Sequence, residues 1–77
     1  MGKLNICIDF DGTIVSPCYP KIGTPINGAI EKMKKWKGKG HIIIVSSCRA
    51  GIYEEQMREF LKGWPVDYIN PLYRLPV

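Results

Sequence analysis

Two short apolar stretches that do not alternate with polar residues restrict what this chain can become: Ile6-Cys7-Ile8, inside the segment Leu4 to Asp9, and Ile42-Ile43-Ile44-Val45. Unbroken, largely β-branched runs of this length mark strands buried on both faces, as strands in parallel sheets are. Each run ends abruptly in polar groups, the first in Asp9-Phe10-Asp11-Gly12-Thr13 and the second in Ser46-Ser47-Cys48-Arg49. Side chains alternate faces along a strand, so Asp9 and Asp11 share a side and Phe10 turns the other way. Two carboxylates held that close require a cation or a proton between them.

Between and beyond these runs the spacing predicts two helices. Thr24 is placed to cap the first and Pro25 to occupy its first helical position. Ile26, Ala29, Ile30, Met33 and Trp36 then form an apolar stripe until Gly38 or Gly40 ends it. The second opens at Ala50 or Gly51 and runs to about Lys62, with Tyr53, Met57, Phe60 and Leu61 on one face and Glu54, Glu55, Arg58 and Glu59 around the other. Val66 to Ile69 forms a short third strand ending at Asn70-Pro71, and the last residues, 71 to 77, read as an irregular apolar tail. Ser16 to Gly23, with Pro17 and Pro20, is a loop expected to overhang the carboxylates. The order β-α-β-α-β with right-handed crossovers makes the strands parallel and gathers their C-terminal ends, with Asp9, Asp11, Ser47 and Asn70, on one edge. Ligands of open α/β sheets bind at that edge. His41 begins the second strand, at the opposite end from the carboxylates, where a structural or surface role is expected rather than catalysis.

At 77 residues the chain is one domain with a thin core, and its 45% hydrophobic and 23% charged composition is that of a folded globular protein. No apolar run is long enough to span a membrane, and no signal peptide is legible at the N-terminus, so a cytoplasmic location is expected. Three cysteines without paired spacing suggest reduced thiols rather than disulfides or zinc. The net charge of +4 comes mainly from Lys32, Lys34, Lys35, Lys37 and Lys39. On a helix that run reads as a solvated face, which disfavours nucleic acid as a partner.

Asp9-Phe10-Asp11-Gly12-Thr13 after an apolar strand resembles the first motif, DxDGT, of the haloacid dehalogenase-like (HAD-like) phosphohydrolases. Ile42 to Ser47 followed by Arg49 resembles their second motif. With a first loop too short for a cap domain, the chain is most similar to the small capless members, and residues 1–77 would form a single three-layer, Rossmann-like α/β domain. The resemblance implies a phosphatase with Asp9 as nucleophile and Asp11 as general acid and base, both acting on a small phosphorylated substrate. It implies Mg²⁺ held by Asp9 and Asp11, and phosphate contacts from the Gly12 and Thr13 N–H groups, Ser47, Cys48 and Arg49 at the start of the second helix, where Ser47 could instead cap the helix and Arg49 instead pin the loop. An EF-hand would share the Asp9 and Asp11 spacing, yet Ile14 and Pro20 stand where it needs glycine and glutamate. A cysteine-phosphatase loop would need arginine where Glu54 stands.

The family pattern continues past the third strand to a lysine or arginine and to further acids, and nothing after Asn70 matches them; the chain resembles the family core cut after its third strand. The first strand, central in the family, would then be an exposed edge that invites pairing, and a homo-oligomer is expected through it. A Mg²⁺- or phospho-ligand-binding protein without turnover, or an oligomeric interaction module, are the alternatives that these departures suggest.

Overall fold

A computed structural model describes residues 2–71, in the order β1 (Asn5–Asp9), α1 (Ala29–Gly38), β2 (Ile42–Ser47), α2 (Ile52–Phe60) and β3 (Tyr68–Pro71). The strands form one parallel sheet in the order β1-β2-β3, with Asp9 level with Ser46 and Ser46 level with Asn70. The small parallel α/β fold expected from the two apolar runs is therefore present, with its C-terminal strand ends on one edge. Pro71, expected in the irregular tail, is the last residue of β3, and the rest of the tail, residues 72–77, lies outside the described residues.

The core lies on one side of the sheet. Ile8 of β1 and Ile43 and Val45 of β2 are buried together with Met33 of α1 and with Met57 and the adjoining Leu61 of α2. Residues of the opposite face, Cys7, Ile42 and Ile44, are exposed or half-buried. Both strands were expected to be buried on both faces; instead one face is covered and the other is bare among the described residues. Successive right-handed crossovers that step sideways in the same direction leave their helices on the same face. A third layer needs a crossover stepping the other way, which the described residues do not contain.

The first helix starts at Ala29, not at Thr24-Pro25. Those two residues are extended against the end of the first turn: the Ser16 N–H donates to the Thr24 carbonyl (2.8 Å), the Thr24 N–H to Ser16 Oγ (3.0 Å) and the Ile26 N–H to the Ile14 carbonyl (2.9 Å). Val15 and Pro25 make an antiparallel bridge. Tertiary pairing thus overrides a capping signal that is persuasive locally, and Gly28, at φ 86°, redirects the chain into α1. The second helix is shorter than expected at both ends, and β3 lies two residues later than its apolar run, because Asp67 is used at its start. The Asp67 N–H donates to the Ile43 carbonyl (2.9 Å), while Asp67 Oδ2 accepts from the Ile43 N–H (2.8 Å) and Oδ1 pairs with Lys37. His41 accepts the Leu4 N–H on Nδ1 (3.1 Å), a structural use at the end of the sheet away from the carboxylates. Glu54, expected on the solvated face of α2, is buried and ion-paired with Arg58.

Candidate functional site

A cleft of about 400 Å³ opens at the C-terminal edge of the sheet, and both acids of the first motif line it with Ser46, Ser47, Cys48 and Arg49. Asp9 is the last residue of β1 and is exposed to the cleft, while Phe10 turns into the core. The Phe10 N–H continues the ladder to the Ser46 carbonyl (3.2 Å), which holds the two carboxylate-bearing residues at the tip of β2.

The cation beside the carboxylates is Arg49. Its Nε donates to Asp11 Oδ2 (2.8 Å) and its Nη2 to Asp11 Oδ1 (2.6 Å), a bidentate pair in which the arginine side chain is 1% and the aspartate 24% exposed. The same guanidinium donates to the carbonyls of Pro20 (Nη1, 3.1 Å) and Lys21 (Nη2, 2.9 Å). It lies over the rings of Phe10 and Tyr19, 5.3 and 5.0 Å from their centroids. Arg49 therefore bolts the overhanging loop to the acid, and the loop does reach over the site as its composition suggested. Four of the five N–H donors of this guanidinium are engaged in this way, which favours loop pinning over a phosphate contact.

Gly12 and Thr13 also leave the expected phosphate set. The Gly12 N–H donates to the Val15 carbonyl (2.7 Å) and the Thr13 N–H to the Phe10 carbonyl (3.4 Å), so both are consumed in the turn. Gly12 has φ 91°, the left-handed backbone that makes glycine necessary there. Thr13 lines a separate apolar hollow of about 280 Å³ between β1 and α1.

Ser47 is buried, and its Oγ accepts the Arg49 N–H (3.1 Å). This is the local turn use that competes with a phosphate contact, yet a hydroxyl that accepts still has a proton to donate. Cys48 is exposed, and Asn70, on β3 beside Ser46, is not part of the cleft lining. Two residues that the motifs do not mark belong to the site. Ser46 is level with Asp9, a placement that parallel register alone reveals. Tyr19 reaches the cleft from the loop.

Among the described residues no three His, Cys, Asp or Glu side chains cluster as a metal site. Mg²⁺ does not demand one, since it binds through one or two carboxylates and keeps water and phosphate oxygens for the rest. Exposed Asp9 fits that donor set, whereas the Asp11 carboxylate is shared with Arg49. Lys62 sits beyond the C-terminal end of α2. There a hydrogen bond and ion pair with Glu59 (2.8 Å) raise its pKa above the ordinary lysine value.

Comparison with known proteins adds a fold relative. A solved structure of a conserved protein coded by a locus from Bacteroides thetaiotaomicron matches 90% of this chain with a TM-score of 0.81 and 34% identity. The chain spans 59% of that protein's length. No protein-family model and no curated protein matches the sequence. No helix among the described residues is long and apolar enough to cross a membrane.

Proposed function

We propose that this chain carries the core of a HAD-like phosphomonoester hydrolase. The observation that carries the reading is the meeting of Asp9 and Asp11 with Ser46 and Ser47 in one cleft at the C-terminal edge of a parallel sheet. Asp9, exposed and without an ion-pair partner among the described residues, is the nucleophile. Its carboxylate oxygen attacks phosphorus as the ester P–O bond breaks, and Asp11, as general acid, delivers a proton to the departing alkoxide. Water then attacks the aspartyl-phosphate, Asp11 takes a proton from that water, and phosphate leaves with Asp9 restored. Ser46 and Ser47 hydroxyls hydrogen-bond the phosphoryl oxygens, and Arg49 holds Asp11 in place. Each carboxylate oxygen has two lone-pair sites, so Asp11 can serve a leaving group while it remains paired.

Of the two acids at the cleft Asp11 is paired with Arg49, while the charge of Asp9 is not offset by any ion pair among the described residues. A phosphate dianion is repelled by such a lining, which is the physical reason to expect a divalent cation. Bound Mg²⁺, on Asp9 and the Asp11 residue, would supply charge neutralisation for the incoming phosphate. The test is hydrolysis of p-nitrophenyl phosphate by the purified chain with Mg²⁺ and with EDTA. Turnover that requires Mg²⁺ and drops at least about 10²-fold in Asp9→Asn supports the reading. Absence of turnover, or turnover indifferent to Asp9→Asn, removes it.

The Asp11–Arg49 pair also favours a second reading, in which Asp11 has a structural task and the cleft binds Mg²⁺ or a phosphorylated ligand without turnover. Phosphate binding that needs Asp9 in a chain with no hydrolysis would select it. In either case we place a second copy of the chain along β1, which pairs only with β2 among the described residues.

A further inference from the structure

We propose that Tyr19 and Tyr53 form a stacking ledge at the mouth of the cleft, and that the phosphorylated ligand carries a planar aromatic or heteroaromatic group. The proposal rests on reading the cleft as a phosphate-ester site and names the part of the ligand that the acids leave unspecified. A phosphoryl group fills only a fraction of about 400 Å³, so the cleft has room for the group that phosphate is attached to. The side of that space nearest the loop is aromatic.

Arg49 and Tyr53 together fix Tyr19. The Arg49 guanidinium lies 5.0 Å from its ring centroid, and the carbonyls of the next two residues, Pro20 and Lys21, are bonded to the same guanidinium. Tyr53, in the first turns of α2, meets it edge-to-face with centroids 5.5 Å apart. Despite this anchoring Tyr19 is 57% and Tyr53 38% exposed. Single exposed aromatics on a surface need no explanation. Here two are ordered against each other, and Tyr19 is backed by a buried arginine and lines the cleft with the two carboxylates, so the entropy of presenting them to a ligand is already spent before binding. Aromatic faces of this kind take planar rings by stacking, with little preference for which ring.

The test compares adenosine 5′-monophosphate with ribose 5-phosphate, which share the phosphate and sugar and differ in the base. Both are titrated calorimetrically into the unaltered full chain, with Ca²⁺ in place of Mg²⁺, so that Asp9 keeps its carboxylate and turnover does not interfere. We expect the nucleotide to bind about tenfold more tightly, and Tyr19→Leu to reduce the ratio to within about twofold. Tyr53→Leu reduces it in the same direction, which guards against a Tyr19 variant that merely disturbs Arg49. Equal affinity of the two ligands, absence of binding by either, or a ratio that both tyrosine variants preserve overturns the ledge. Failure of p-nitrophenyl phosphate hydrolysis by the unaltered chain removes the phosphatase reading alone and leaves the affinity ratio standing.

Discussion

Arg49 does three jobs with one side chain: it pairs with Asp11, ties down Pro20 and Lys21, and supports the rings of Phe10 and Tyr19. Removing one partner of a buried ion pair costs about 3 to 5 kcal/mol because the other charge is left without compensation. Arg49→Ala should therefore lower the thermal midpoint sharply, and the double variant with Asp11→Ala should lose clearly less than the sum of the singles, as a thermal-melt double-mutant cycle would measure. Arg49→Lys keeps the charge but not the planar fork, so it should recover only part of the stability. Near-additive losses would show that the pair is not coupled. The placement of Asp9 and Asp11 on one side was readable from strand alternation, as was their need for a counter-charge. The identity of that charge was not, because a partner 38 positions away becomes adjacent only after β1 and β2 have paired. The glycine-threonine turn misled for a related reason: its N–H groups looked free in the sequence and are satisfied by carbonyls within the same turn.

At the level of elements, two small devices hold the sheet in its arrangement. Asp67 joins α1, β2 and β3, and its pKa is lowered by the hydrogen bond from Lys37, assisted by the Ile43 N–H. A carboxylate whose folded-state pKa lies below its unfolded value stabilises the fold above the unfolded pKa, about 3.9, and that contribution disappears as pH falls through the folded value. The thermal midpoint should thus fall more steeply on acidification in the unaltered chain than in Asp67→Asn, and the two curves should converge at low pH. Parallel curves from neutral to acid pH would show that Asp67 contributes nothing. The second device is the clasp between Ser16 and Thr24, which displaced the expected helix start. Gly23 packs so closely there that a Cβ would overlap the Ser16 carbonyl oxygen and hydroxyl. Gly23→Ala should cost about 1 to 3 kcal/mol, seen as a lowered midpoint in a thermal melt, although glycine's φ there is not in the left-handed region. A local capping rule saw only Thr24 and Pro25; the partner that won, residues 14 to 16, lies eight or more positions upstream.

For the whole molecule, element order was legible because each apolar run and each helical stripe is self-contained. The number of layers was not, because it depends on the direction in which successive strands are added. That direction also leaves β1 at the edge, and the ladder tells which of its groups are bare. The Ile42 N–H donates to the Leu4 carbonyl (2.8 Å) and the Phe10 N–H to the Ser46 carbonyl (3.2 Å), so in a parallel ladder Ile6 and Ile8 also point their backbone groups at β2. Asn5, Cys7 and Asp9 therefore direct theirs outward. Asn5 and Cys7 are uncharged, and an antiparallel copy of the same strand would meet them under two-fold symmetry with no like-charge clash at the centre. Light scattering of the purified chain should then show a dimer. Proline at position 7 removes an outward N–H and no bond to β2, a substitution that edge strands accept. Cys7→Pro should accordingly convert the dimer to a monomer with the circular-dichroism spectrum of the unaltered chain. A monomer in the unaltered protein, or a dimer that survives Cys7→Pro with its fold intact, would show that the β1 edge is left unpaired by this chain.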